Sequence, residues 1–380
     1  MKIKKTMLAS LFALASLALA GAAHADLTVG VVQPLTGPAS GLGIPVKNAI
    51  MIWPKTVAGQ TIKLVVLDDA SDPTAGVKAA QRLVTEDKVD VIIGSSATPV
   101  AIPMADVTAE ASTPQLATSP AALPPGKDKW FFRLPQSNNV MAYAMVEHMK
   151  KQGVKTIGFL GYTDAYGELW LKAMTEEAAK NGMKIVGTER FARADTSVTA
   201  QALKLTSGNP DAILIVASGS GAGMPQKAIM ERGYKGKIYQ THAAATPDLM
   251  RVAGKDADGT FVVSGPAMLG EQLPDSNPSK KAALTFLEDY TKAYGNTANQ
   301  FAGHGADAYT ILDKAVPIAL KKAQPGTPEF RAALRDAFET MGRTVISHGV
   351  LNWTAQDHWG YTNETGVMMQ VVDGKFKVVQ

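Results

Sequence analysis

Short apolar runs rich in β-branched residues alternate with amphipathic stretches along most of this chain. Such runs, bounded by turn residues, read as strands buried in a parallel sheet. The pattern predicts strands at 27–33, 62–68, 89–93, 115–117 and 130–133, interleaved with helices over 44–56, 75–87, 102–111 and 140–152. It restarts at 156–160 and continues through strands at 185–190, 212–216, 237–240 and 259–263, with helices over 168–181, 196–207 and 225–232. Helices over 278–294, 303–323 and 330–337 follow, the second kinked at Pro317. Two last strands, 368–372 and 375–379, flank Asp373-Gly374, a strong hairpin signal. The repeated strand–helix alternation predicts an α/β chain of two doubly wound, Rossmann-like lobes. Crossings between lobes are expected near 135–139, 264–267 and 344–350. Lobe 1 is then 26–137 plus 266–346, and lobe 2 is 138–265 plus 347–380, joined by a three-segment hinge.

The stretch 89–122 organises the expected site. Gly94 ends a strand, and Ser95, Ser96 and Thr98 follow it. The next strand ends in Thr118-Ser119-Pro120. Adjacent parallel strands thus present two hydroxyl-rich loops at one sheet edge, where open α/β sheets bind ligands. Helix N-termini there favour an anionic group, although the same serines also suit helix capping. Asp69 and Asp72 are expected to cap a helix and solvate a turn rather than hold a metal. His148 is expected on a solvated helix face.

The N-terminus changes the picture of where the protein works. Lys2, Lys4 and Lys5 precede an apolar run over 7–20, and Ala23-His24-Ala25 is a good cleavage site. Segment 1–25 therefore reads as a signal peptide, with a mature chain from Asp26. The run is short for a membrane span, and no later stretch suits one. The protein is expected to be exported, periplasmic and not membrane-spanning. Three of the 38 basic residues fall in that segment, leaving 35 against 34 acidic residues. Nothing in that balance argues for nucleic acid or an anionic membrane. Cysteine is absent, which excludes disulfides and thiolate chemistry.

Catalytic signatures are missing. There is no HExxH, P-loop, GxGxxG or GxSxG motif, and the six histidines show no compact metal spacing. No catalytic residue, metal or cofactor is expected.

Several pieces carry a resemblance. They are Pro34-Leu35-Thr36-Gly37-Pro38, Asp68-Asp69-Ala70-Ser71-Asp72-Pro73, Ile93-Gly94-Ser95-Ser96, Tyr166-Gly167, Gln226-Lys227-Ala228 and Asp357-His358-Trp359-Gly360. In this order, behind an export signal, the chain resembles periplasmic solute-binding proteins of the branched-chain amino acid family, which serve ABC importers. The resemblance implies a hinged, bilobed receptor of the type I periplasmic fold, with ligand in the cleft and a membrane permease as partner. It implies carboxylate binding around Ser95, Ser96, Ala97, Ser119 and Ala121, and closure by Tyr166 from lobe 2. The family's ammonium anchor falls at Thr241-His242, where this chain has no acid. A family tyrosine falls near Ser218–Ser220, within the small-residue loop 217–223. The expected ligand is a small carboxylate without a required α-ammonium, aromatic rings being admitted by that small loop. Ser220 and His242 complete the expected site, His242 facing a hydroxyl, keto or second carboxylate oxygen. An amino acid or amide receptor is the alternative, followed by a ligand-sensing partner of a membrane receptor. The protein is expected to be monomeric.

Overall fold

The computed structural model describes residues 26–295 and 298–379. The expected signal segment, 1–25, lies outside the described residues.

The first sheet contains β1 (Leu27–Gln33), β2 (Thr56–Val57), β3 (Gln60–Asp68), β4 (Val91–Gly94), β5 (Gln115–Ala117) and β6 (Phe131–Arg133). Its order is β2-β3-β1-β4-β5-β6, parallel throughout except between β2 and β3. Helices α1 (Ser40–Met51), α2 (Pro73–Thr85) and α3 (Thr98–Glu110) form its crossovers. Central β4 is buried on both faces, while β3 is mostly half-buried or exposed. That difference is why β4 is a short wholly apolar run.

After α4 (Asn138–Lys151) the second sheet begins. It holds β7 (Thr156–Tyr162), β8 (Lys184–Phe191), β9 (Ala212–Val216), β10 (Lys237–Gln240) and β11 (Phe261–Ser264). Helices α5 (Ala165–Lys180), α6 (Thr199–Ser207), α7 (Ser220–Met230) and α8 (Pro247–Ala253) connect them. The chain then runs through α9 (Lys280–Tyr294), α10 (Gln300–Ala319), α11 (Pro328–Thr340) and a hairpin of β12 (Thr344–Ile346) and β13 (Gly349–Leu351). It ends with β14 (Val367–Val372) and β15 (Lys375–Val378), antiparallel at the edge of the second sheet. The turn between these two puts Asp373 and Gly374 at φ 51° and 69°, as a two-residue hairpin with the chain's right-handed twist requires. The second sheet reads β15-β14-β11-β10-β9-β7-β8. The fold is thus two doubly wound α/β lobes.

Helix α10 returns to the first lobe and packs on α1. Gly305 makes this approach: a Cβ there would sit 2.6 Å from the Val46 carbonyl oxygen. The Trp53 indole N–H donates to the Gly305 carbonyl at 2.9 Å. Farther on, Trp353 and His358 pack on Phe132 of β6, with ring centroids 5.1 and 4.0 Å away.

Helix starts follow their caps. Asp72 accepts from Ala75 N–H at 2.7 Å, Ser137 from Val140 N–H at 3.2 Å and Thr327 from Phe330 N–H at 3.1 Å. Two side chains depart from expectation. His148 is buried, its Nδ1 3.0 Å from the Tyr239 hydroxyl and its ring against Phe261. It shares the inward face of α4 with Met145 and Met149, a phase that outweighs its polarity. Asp69 does not solvate its turn but is fully buried. It accepts from the Ser95 hydroxyl at 2.6 Å and from Ser71 N–H at 2.8 Å.

Burial raises the Asp69 pKa from 3.8 to about 6, against these hydrogen bonds. An acid with a raised folded pKa binds more protons folded than unfolded between those values. Its charge then costs stability as pH rises from about 3.8 through about 6. The wild type should lose on the order of 3 kcal/mol across that window relative to Asp69→Asn. Urea unfolding of both proteins at several pH values measures it; parallel curves would refute it.

Candidate functional site

Strand order locates the site. In the first sheet the connections run from β1 to β3 on one side and back to β4 on the other. The second sheet repeats this around β7, with β8 on one side and β9 on the other. Each reversal opens a crevice at the carboxyl ends of the strands. The two crevices face each other across a small cavity lined by Leu42, Ser96, Thr98, Pro120 and Phe301 on one side. Tyr166, Arg193, Ser218, His242 and Ala243 line the other.

Gly94 shapes the first wall. Its φ is +131°, and a Cβ there would lie 1.8 Å from the Val32 carbonyl oxygen. This close passage swings Ser95 and Ser96 off the sheet. Ser96 donates to Gln33 Oε1 at 2.6 Å and lies 2.9 Å from the Thr118 hydroxyl. Ser95 turns instead to Asp69 and accepts from Ala97 N–H at 3.1 Å, ahead of α3. Ser119 is fully buried, with no partner for its hydroxyl. Ala121 is buried behind it, its carbonyl taken by Arg133 Nε at 2.9 Å.

The second wall centres on Arg193, in the loop after β8. Its Nε donates to Asp164 Oδ2 at 2.5 Å and its Nη1 to the Ser218 hydroxyl at 3.1 Å. The guanidinium lies 4.1 Å from the Tyr162 ring centroid and 6.0 Å from that of Tyr166. Asp164 also caps α5, accepting from Tyr166 N–H at 2.9 Å. Its charge is therefore shared with a helix N-terminus, while the remaining guanidinium N–H groups stay available to the cavity. The Tyr166 hydroxyl pairs with Thr241 Oγ1 at 2.8 Å, and burial pushes its pKa up. What Tyr166 offers is its ring. His242 is buried beside Tyr166 and Trp170, with no partner for Nδ1. Burial, with a smaller repulsion from His348, drops its pKa to about 3, so the imidazole is neutral.

Of the eight residues expected from sequence, Ser96, Tyr166 and His242 line the cavity. Ser95, Ala97, Ser119 and Ala121 form the buried layer behind the first wall. Ser220 is exposed at the start of α7, and Ser218 stands at the cavity in that loop. The small loop does not widen the cavity at Gly221, because a Cβ there would meet the Tyr162 hydroxyl at 2.2 Å. The room goes to Tyr162 and, through it, to the stacked Arg193. Thr98, expected in the hydroxyl-rich loop after Gly94, also lines the cavity, whereas Arg193, Leu42 and Phe301 were not expected. Arg193 was findable, since it follows a strand adjacent to the switch point.

Comparisons with known proteins agree with this architecture. The model of a periplasmic binding protein family matches residues 26–375. A Leu/Ile/Val-binding protein homologue from Brucella melitensis is 28% identical over 295 residues, 74% of this chain and 77% of that protein. An extracellular ligand-binding receptor from Rhodopseudomonas palustris superposes with a TM-score of 0.92 at 46% identity, covering 94% of this chain and 100% of the other. A solute-binding protein of an ABC transporter from the same species, solved in complex with benzoate, shares the fold at 19% identity and a TM-score of 0.78, covering 93% and 95%. Among the described residues no helix is long and apolar enough to cross a membrane. Two doubly wound lobes around a shared cleft, with a family match across nearly the whole chain, make this protein a periplasmic solute-binding protein of the branched-chain amino acid family, with the type I fold.

Proposed function

We propose that this chain is the exported, extracytoplasmic receptor of an ABC importer. It captures a small carboxylate, with aromatic acids the favoured class, and delivers it to a membrane permease. The observation that carries the ligand class is Arg193, a fixed guanidinium at a cavity whose lining contains no Asp or Glu. An arginine fork matches a carboxylate, and charge-assisted hydrogen bonds are the stronger kind. An α-ammonium would have no anion to face there, and a desolvated unpaired charge is costly. Leu42, Phe301 and the Tyr166 ring give an apolar middle suited to a ring. The benzoate complex of the R. palustris protein supports an aromatic acid in this fold. The names of the Leu/Ile/Val-binding relatives favour a branched-chain amino acid as the second reading.

A thermal-shift screen of aromatic acids, keto and dicarboxylic acids, amino acids and amides, followed by calorimetry, separates the two. Aromatic carboxylates should bind. Tight binding of leucine or valine, with no response to any non-amino carboxylate, would overturn the reading.

The lobes are proposed to close on the ligand about the crossings at 135–139, 264–267 and 344–350, with the lobe boundaries expected above. Their convergence supports this. Gln136 Nε2 donates to the His348 carbonyl at 2.6 Å, and a Cβ on Gly265 would lie 2.7 Å from the same nitrogen. Ligand binding both halves of the cleft shifts an open–closed balance. Small-angle scattering should show a smaller radius of gyration at saturation with a bound acid; an unchanged radius would count against closure.

A further inference from the structure

A set of buried imidazoles stands beside the cavity that the carboxylate reading leaves unused. His242 follows β10, His304 lies on α10, and His348 sits in the turn between β12 and β13. None is more than 2% exposed. The His304 and His348 rings stack at 4.1 Å, and His304 lies edge-on to Phe301 at 5.9 Å. Phe301 and His242 are themselves cavity walls. Nδ1 of His242, Nδ1 of His304 and Nε2 of His348 have no hydrogen-bond partner. Buried polar atoms are rarely left so. Three together, on segments from both lobes and the third crossing, point to a partner that arrives with the ligand.

Asp307 decides what kind of partner. Its carboxylate accepts from Ser347 N–H at 2.7 Å, from the Ser347 hydroxyl at 3.0 Å and from His348 Nδ1 at 2.7 Å. A carboxylate only accepts, so Nδ1 of His348 carries a proton toward Asp307, and Nε2 is the ring atom left without a partner. That atom needs a hydrogen-bond partner. An ammonium would find no free anion, because Asp307 is already committed to these donors. A second carboxylate would bring a charge to the neutral rings of His242 and His304. Burial keeps His242 and His304 neutral, so neither offers a cation. A neutral hydroxyl satisfies the site, since it can donate to one imidazole and accept from another. Among the described residues, no grouping of His, Asp or Glu suits a metal ion.

We propose that the ligand is a hydroxy-aromatic acid, with its carboxylate on Arg193, its ring against Phe301 and Tyr166, and its far hydroxyl among His242, His304 and His348. Tyr166 stands between the two polar ends: the Arg193 guanidinium and the His242 ring each lie 6.0 Å from its ring centroid. The proposal rests on the carboxylate reading above. Calorimetry with 3-phenylpropanoate and 3-(4-hydroxyphenyl)propanoate tests it. The wild type should bind the hydroxy acid at least about 30-fold more tightly, because a site built for a hydroxyl rejects the analogue lacking it. His304→Leu, alone and with His242→Phe, should bring the two acids within about threefold of each other, chiefly by weakening the hydroxy acid. Equal binding of both acids by the wild type would overturn the hydroxyl assignment and leave the carboxylate reading standing. So would variants that fold normally yet weaken both acids equally. Binding of leucine with no response to either acid would overturn both.

Discussion

Replacing Arg193 by Gln should weaken binding of a carboxylate ligand by about 100-fold or more, the size expected when a charged hydrogen-bonding partner is lost from a desolvated site. The side chain is pinned before any ligand arrives. Asp164 and Ser218 fix two of its nitrogens and the Tyr162 ring supports its face. Little side-chain entropy is then lost on binding, which favours Arg over a mobile Lys. Arg193→Lys keeps the charge but not the fork, so it should recover only part of the affinity. Loss of the guanidinium also leaves Asp164 without its ion-pair partner, so some stability should go with it. Calorimetry beside thermal unfolding separates the two effects. A folded Arg193→Gln protein that binds within about threefold of wild type would remove Arg193 from the site.

Gly94→Ala should cost about 3–5 kcal/mol of stability, combining backbone strain with overpacking. Gly94 has φ +131°, and the added Cβ would overlap the Val32 carbonyl oxygen of the neighbouring strand. The oxygen belongs to the sheet backbone and the Cβ is fixed directly to it, so no side-chain rotation relieves the contact. Gly182→Ala is the control: its φ is +70°, but a Cβ there meets nothing within 4 Å. It should cost only about 1 kcal/mol, the conformational part alone. Urea unfolding of the two variants measures the difference. Equal, small losses would show that β1 and β4 can separate at no cost. Because Gly94 also places Ser96 at the cavity, a folded Gly94→Ala protein should bind ligand weakly as well.

Strands were legible in the sequence because each is a short run whose environment is uniform. Leu27–Gln33, Gln115–Ala117, Ala212–Val216 and Lys237–Gln240 were all expected with these bounds. Caps such as Asp72 and turns such as Asp373-Gly374 were legible too, since their chemistry is local. The short strand β2 and the β12–β13 hairpin carry only two or three residues each, too few for a period. The resemblance carried the family and the cleft.

Local chemistry could not say which polar side chains would be buried or where they would point. Asp69 and His148 look like surface residues in sequence, yet each faces inward because its element packs on that face. Ser95 and Ser96 are neighbours, but the bend at Gly94 sends one to Asp69 and the other toward Gln33 and the cavity. Ser218 rather than Ser220 reaches the cleft, since Ser220 begins the outward turn of α7. Arg193 is held at the cavity by Asp164, Ser218 and Tyr162, which come from three other places in the chain. By itself the sequence determined the α/β alternation, the caps and turns, and the absence of an acid at Thr241-His242, all of which depend on neighbours a few residues apart. Only the tertiary structure decided that a guanidinium stands across the cleft from Phe301, and that His242, His304 and His348 gather beside it, because those groups come from segments distant in the chain.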